Sequence, residues 1–329
     1  MAKRIALVLG SGGARGYAHI GVIEALEARG YEIGCIAGCS MGAVVGGIYA
    51  SGKLDQYKAW IESLDYLDVL RLLDVSFRLG AIRGEKVFGK IRELLGDINI
   101  EDLPIPFTAV ATDLTNHQEI WFQEGCLHRA MRASAAIPTL FTPVVQGSRV
   151  LVDGGLLNPL PIVPVVSAHC DLIVAVNLNA DNQMQYQLPV IERAPVFKGR
   201  IDQLIDSIGA RLPFRRPISA NAQTVGISAQ ELDTRLASSS TAPPVQSASG
   251  SQELNSTGPA SLLELVNQSF DAMQSSLAQY KIAGYPPDIL INFPKRVCRF
   301  FEFYKAQELI LLGEQIAHDT LDRYEQHHP

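Results

Sequence analysis

The sequence predicts a three-layer α/β/α protein with a mainly parallel central sheet, on three observations. Short aliphatic and β-branched runs alternate with helical patterns from residue 3 to about residue 178. These runs show no polar alternation, as befits strands buried on both faces. Strand-helix-strand-helix order implies right-handed crossovers between parallel strands. Composition supplies the core: 47% of the 329 residues are apolar and 19% are charged, which excludes a mainly disordered chain.

The elements follow in order. Residues 3–9 read as a buried strand, then comes a glycine-rich turn and a helix through about Arg29. Ile33 to Ala37 reads as a second strand and Met41 to Ala50 as a second helix. Glu85 to Leu95 is helical, Phe107 to Ala111 and Glu119 to Phe122 are strands, and Leu127 to Ala135 is helical. Arg149 to Val152 is a short strand and Leu172 to Val176 a buried one. Residues 236–260 carry one charge, Glu253, among many Ser, Ala, Thr, Gly and Pro. Such a stretch buries too little apolar area to offset its ordering entropy. Residues 217–259 are therefore expected to be a flexible surface insertion. A helix over about 261–282, an apolar run from Ile289 to Ile291 and a final helix over about 303–326 are expected to return to the core, with the aromatic stretch Phe300 to Tyr304 packed on the sheet.

Charge and cysteine content narrow the function. With 28 Lys and Arg against 34 Asp and Glu the formal charge is −6, which offers no electrostatic footprint for nucleic acid. The five cysteines form no C-x-x-C pair, so neither a disulfide framework nor a zinc knuckle is indicated, and reduced thiols in a cytoplasmic setting are expected. The run Ile5 to Leu9 is too short for a signal-peptide core. No stretch reaches the ~18 apolar residues of a spanning helix; Val150 to Val166 comes nearest, and Asp153, Asn158 and three prolines interrupt it.

Three local patterns carry chemistry. Gly38-Cys39-Ser40-Met41-Gly42 is G-x-S-x-G between a strand and a small-residue helix, the context of a nucleophile elbow that exposes a serine hydroxyl on a tight turn. Gly10-Ser11-Gly12-Gly13-Ala14-Arg15-Gly16 follows the first strand. Its glycines let backbone N–H groups line a concavity for a phosphate or for the oxyanion of an acyl transfer. Arg15 has two readings, an anion-binding side chain or a lock on the loop's carbonyls. Asp153-Gly154-Gly155 ends a short strand, where a carboxylate could meet the serine or merely make a turn.

Two rival arrangements are weaker. Asp113 also ends a strand, but Thr112, Thr115 and Asn116 around it suggest an Asx turn. His169 would complete the Ser-Asp-His order of α/β-hydrolases, yet an elbow at residue 40 comes after only two strands. His19, one turn into the first helix, reads as structural. The spacing Gly10-x-Gly12-x-x-x-Gly16 is a loosened dinucleotide fingerprint, but no acidic residue ends the second strand to meet a ribose. A dinucleotide- or phosphate-binding protein, or a non-catalytic adaptor on the same scaffold, are the alternative functions.

Taken together, Gly12 to Gly16, Gly38 to Gly42, Ala133-Ser134-Ala135-Ala136-Ile137-Pro138 and Asp153-Gly154-Gly155 resemble the patatin-like phospholipase family, in its bacterial branch related to the catalytic domain of neuropathy target esterase. The resemblance covers about residues 4–180 and continues weakly to the C-terminus; the serine-rich stretch 217–259 departs from it. It implies a patatin-like three-layer fold over 1–329 with the catalytic core at about 4–180, and a serine acyl hydrolase acting on phospholipids, lysophospholipids or related carboxylic esters. By that resemblance Ser40 is the nucleophile, Asp153 the general base, and the amides of Gly12, Gly13, Ala14 and Arg15 the oxyanion hole. Gly16, Gly38, Gly42, Pro138, Gly154 and Gly155 support these motifs. No cofactor and no metal are implied. Between Arg193 and Arg216 six basic residues stand against Asp202 and Asp206, with Phe197, Ile201, Leu204, Ile205, Ile208 and Leu212 at helical spacing. That pattern fits an ordinary helix with its apolar stripe on the core, or a peripheral contact of 196–216 with an anionic membrane, on its inner face.

Overall fold

The computed structural model describes residues 3–72, 84–138, 141–181, 186–191 and 262–328. The basic stretch 196–216 and the serine-rich stretch 217–259 lie outside the described residues.

Among the described residues eight strands form one sheet. They are β1 (Arg4–Leu9), β2 (Glu32–Cys39), β3 (Phe107–Asp113), β4 (Gln118–Phe122), β5 (Val144–Gln146), β6 (Arg149–Asp153), β7 (Leu172–Ala180) and β8 (Ile289–Pro294). Their order is β5-β6-β3-β2-β1-β7-β8, with β4 also paired to β3. The neighbours β3-β2-β1-β7-β8 are all parallel. The β3-β4, β3-β6 and β5-β6 pairs are antiparallel. Only Leu114 to His117 separate β3 from β4, far too few for the crossover that a parallel pair demands.

The period-2 alternation of buried strands sorts their side chains between two helical layers. Ile5, Leu7 and Leu9 of β1 and Val174 and Val176 of β7 join the larger core with α1 (Ala18–Ala28), α2 (Met41–Ala50) and the last helix, α8 (Ala306–His327). Ala6, Val8, Ala37 and Ala175 face the other way, against Leu160, Ile162, Val165 and Ala278 of α7 (Leu262–Gly284). Helices α3 (Leu54–Glu62), α4 (Tyr66–Leu72) and α5 (Glu85–Leu95) follow α2, and α6 (Leu127–Ser134) precedes the β5-β6 hairpin.

The final helix begins at Ala306, later than its sequence pattern suggests, with a single 3-10 turn at Phe303–Lys305 before it. Glu302 accepts the Arg299 amide at 2.9 Å and the Lys305 ammonium at 2.8 Å, which ties the chain into a loop there. The aromatic stretch also departs from the expected packing on the sheet. Phe300, Phe301 and Tyr304 are half-buried, in a small cluster with Val69, Ile137 and Phe141.

Candidate active site

Ser40 joins the last residue of β2 to the first of α2, with φ 57° and ψ −125°. A non-glycine residue pays about 1–3 kcal/mol to hold such a conformation, so the surroundings must over-determine it. They do so from both sides. The Ser40 amide donates to Ser134 Oγ at 3.0 Å, and that hydroxyl donates to the Val110 carbonyl at 2.6 Å. On the helix side, a Cβ on Gly42 would stand 2.1 Å from the Leu9 carbonyl oxygen, and one on Gly38 2.4 Å from that of Gly42. Strand and helix can close on the serine only because these two positions lack side chains.

Sheet register delivers the acid. Cys39 pairs with Val110 of β3, and Asp153 pairs with the next residue, Ala111. The other edge of β3 is taken by β4 from Ala109 to Asp113. Strand β6 therefore occupies the same edge as β2, beginning where β2 stops, and brings Asp153 beside Ser40. Asp153 is fully buried. Its amide donates to the Ala136 carbonyl at 2.9 Å and its Oδ1 accepts from the Gly155 amide at 2.7 Å. Burial pushes the carboxyl up to about 7, against the opposing pull of the Ser40 hydroxyl and the Gly155 amide. Oδ2 nevertheless has no well-formed hydrogen bond among the described residues. The serine hydroxyl thus influences the carboxyl without a completed hydrogen bond to it.

The glycine loop packs directly on the elbow: a Cβ on Gly16 would stand 2.3 Å from Met41 Cβ. Not all of its amides are available. The Ala14 amide donates to the Phe300 carbonyl at 2.9 Å and that of Arg15 to the Gly12 carbonyl at 3.2 Å. Among the described residues the amides of Gly12 and Gly13 have no hydrogen-bond partner. Of the four amides expected to face an oxyanion, those of Ala14 and Arg15 are thus engaged in closing the turn itself. Gly13 sits at φ 55°, where glycine carries no penalty.

The reading of Arg15 as an anion-binding side chain is also corrected. The side chain is 2% exposed and its donors point inward. They reach the carbonyls of Gly12 and Lys295 at 3.1 Å each, Asn179 Oδ1 at 3.5 Å and Asp271 Oδ1 at 3.3 Å. Arg15 therefore ties the glycine loop to β7, β8 and α7. His19 does related work: its Nε2 donates to the Gly10 carbonyl at 2.8 Å, and burial lowers its pKa to about 4, so the ring is neutral.

Ser40 lies in the wall of an apolar cavity formed with residues of α2 to α5 and with Ala135, Ile137, Phe141 and Phe303. Val44, Trp60, Phe88 and Ile137 are among its lining, and no described lining residue is charged. Asp153, Gly12 and Gly13 are not among the residues that line it. Pro138 ends the stretch that supplies Ala136 and Ile137 and is half-buried.

The rivals stay apart from Ser40. Asp113 Oδ1 accepts the Thr115 and Asn116 amides at 2.9 and 3.3 Å, and its Oδ2 the Asn116 side chain at 2.7 Å, as an Asx turn requires. His169 is exposed, and no histidine lines the cavity. Ser134 escaped the sequence reading as a functional residue. Nothing in spacing announces that a helix-end serine will bond an amide 94 positions away. Gln274 escaped it too: a Cβ on Gly155 would lie 2.2 Å from Gln274 Nε2 and 2.9 Å from Asp153 Oδ1. Among the described residues no group of three or more His, Cys, Asp or Glu could hold a metal, and no helix is long and apolar enough to cross a membrane.

A serine elbow, a buried acid and a glycine loop meeting at the C-terminal ends of parallel strands define a class that known proteins share. The chain belongs to the patatin-like phospholipase family, whose family model, "Patatin-like phospholipase", matches residues 7–166. An uncharacterized NTE family protein of Mycobacterium tuberculosis is 42% identical, over 98% of this chain and 92% of that one. The neuropathy target esterase sws of Drosophila persimilis is 34% identical over 48% of this chain and 11% of its own length. The lysophospholipase NTE1 of Eremothecium gossypii is 31% identical over 54% of this chain and 12% of its own. This membership supports a lipid hydrolase.

Proposed function

We propose that the chain hydrolyses carboxylic esters of phospholipids or lysophospholipids through a Ser40-Asp153 dyad. The observation that carries the reading is a strained serine in the wall of an apolar cavity whose described lining carries no charge, with a dry carboxyl one register step from Cys39. Ser40 Oγ attacks the ester carbonyl while Asp153 accepts the hydroxyl proton. The oxygen that turns negative is held by the amides of Gly12 and Gly13; one lost donor of that kind costs ~10²–10³ in turnover. The proton passes from Asp153 to the departing alcohol. Water then cleaves the acyl-enzyme, with Asp153 taking its proton in turn. A carboxyl near 7 is a far better base than an exposed aspartate and is still ionised in part at neutral pH. The uncharged cavity suits an acyl chain.

The test is labelling by a fluorophosphonate probe together with hydrolysis of a panel of phospholipids, lysophospholipids and short-chain esters. Wild type should label at Ser40 and turn over. Ser40→Ala should do neither, and Asp153→Asn should lose most turnover. An unlabelled but folded wild type would sink the proposal in favour of a non-catalytic adaptor. The separate expectation for 196–216 is tested by neutralising Arg211, Arg215 and Arg216, which should weaken binding to anionic liposomes.

A further inference from the structure

We propose that residues 295–304 and helix α4 form the surface by which this enzyme settles on an anionic lipid layer, with the mouth of the Ser40 cavity turned toward it. The inference rests on the lipid-hydrolase reading and adds the docking face.

Three observations converge. The first is composition: Lys295-Arg296-Val297-Cys298-Arg299-Phe300-Phe301-Glu302-Phe303-Tyr304-Lys305 sets four basic residues around four aromatic ones, with one acid. Lys295 and Lys305 are held by Asp181 and Glu302 at 2.9 and 2.8 Å. Arg296 and Arg299 are exposed and, among the described residues, in no ion pair, although Arg296 exerts a weaker pull on Asp181. The second is exposure. Tyr66 and Leu67 of α4 are 56% and 36% exposed, and the Tyr66 ring stands edge-on to Tyr304 at 5.3 Å. The third is continuity with the site. Leu64, Val69, Ile137, Phe141 and Phe303 belong to this aromatic cluster and also line the cavity that holds Ser40. Phe300 reaches further, its carbonyl accepting the Ala14 amide of the glycine loop.

An aromatic and aliphatic rim with unpaired guanidinium groups at its edge is the chemistry of a lipid-water interface. The rings enter the headgroup region and the cations meet lipid phosphates. A second copy of the chain fits less well, since two such faces would oppose their arginines. The carboxylates of α4 do not reverse the sign: Asp68 accepts from Arg71 and from the Asp65 amide, and Asp65 Oδ1 accepts the Asp68 amide.

The experiment compares wild type, Arg296→Ala/Arg299→Ala and Tyr66→Ser/Leu67→Ser. Each is sedimented with phosphatidylcholine vesicles, with and without phosphatidylglycerol, and assayed on a dissolved short-chain ester. The arginine pair should weaken binding to anionic vesicles roughly 25-fold, about fivefold per cation, and leave neutral vesicles unaffected. The apolar pair should weaken binding to both, roughly tenfold. Hydrolysis of the dissolved ester should be unchanged, since none of the four residues touches Ser40, Asp153 or the glycine loop. Wild-type binding by both variants, or loss of a concentration-dependent dimer in Tyr66→Ser/Leu67→Ser without loss of vesicle binding, would overturn the docking face. A wild type that binds vesicles as expected yet never cleaves the ester would overturn the catalytic reading instead.

Discussion

Replacing Asp153 with asparagine should remove most turnover and, above neutrality, make the protein more stable. Burial holds this carboxyl at about 7, against an ordinary value of 3.8. The folded state thus binds the proton more tightly than the unfolded state does. The benefit to folding is complete below about pH 4 and is lost as pH rises through about 7, where the fold must carry a dry carboxylate. At about 1.4 kcal/mol per pKa unit the whole interval amounts to at most about 4 kcal/mol. Asparagine keeps an acceptor for the Gly155 amide and never ionises. In place of Oδ2, which has no partner, it sets an amide group that also lacks one, at a cost of about 1–2 kcal/mol. The variant should therefore be less stable than wild type by about 1–2 kcal/mol near pH 3, roughly level with it near pH 5, and more stable by about 2 kcal/mol near pH 9. Urea unfolding of both proteins at acid, neutral and alkaline pH measures this directly. A stability difference that does not change with pH would refute the raised carboxyl, and with it the account of Asp153 as a base tuned by burial.

Three further outcomes follow from the same geometry. Because Asp153 must be ionised to accept a proton, kcat/KM should climb about tenfold per pH unit below about 7 and level off above it; a profile flat through this range would contradict that role. Ser134→Ala strips the Ser40 amide of its acceptor and the Val110 carbonyl of a donor, and should cost about 2–4 kcal/mol in thermal or urea unfolding while slowing fluorophosphonate labelling. Arg15→Lys should fail to restore what Arg15→Met loses, in stability and in labelling rate alike, because an ammonium cannot reproduce a fork that reaches Gly12, Lys295, Asn179 and Asp271 together.

What could be read from the residues alone was what neighbours in sequence decide. The elbow is legible because a strained serine needs glycines two positions away on either side, and all three lie within five residues. The glycine loop is legible for a similar reason, and so is the alternation of strands and helices, whose periods are local. The antiparallel turn at β4 could also be foreseen from its short connection. Long-range contacts decided the rest. The choice of Asp153 over Asp113 rests on which strand follows β2 along the edge of β3, a pairing that places residues 39 and 153 at successive steps. Burial, a property of the whole packed core, sets the carboxyl near 7. Arg15 was open between two roles until residues some 160 and more positions away surrounded it. The aromatic run at 300–304 looks like core by composition; in the fold it joins a small cluster with Val69, Ile137 and Phe141 and stays half-buried. Hydrophobicity and propensity act on each residue and its neighbours, whereas register, burial and hydrogen-bond closure are fixed only when distant segments meet.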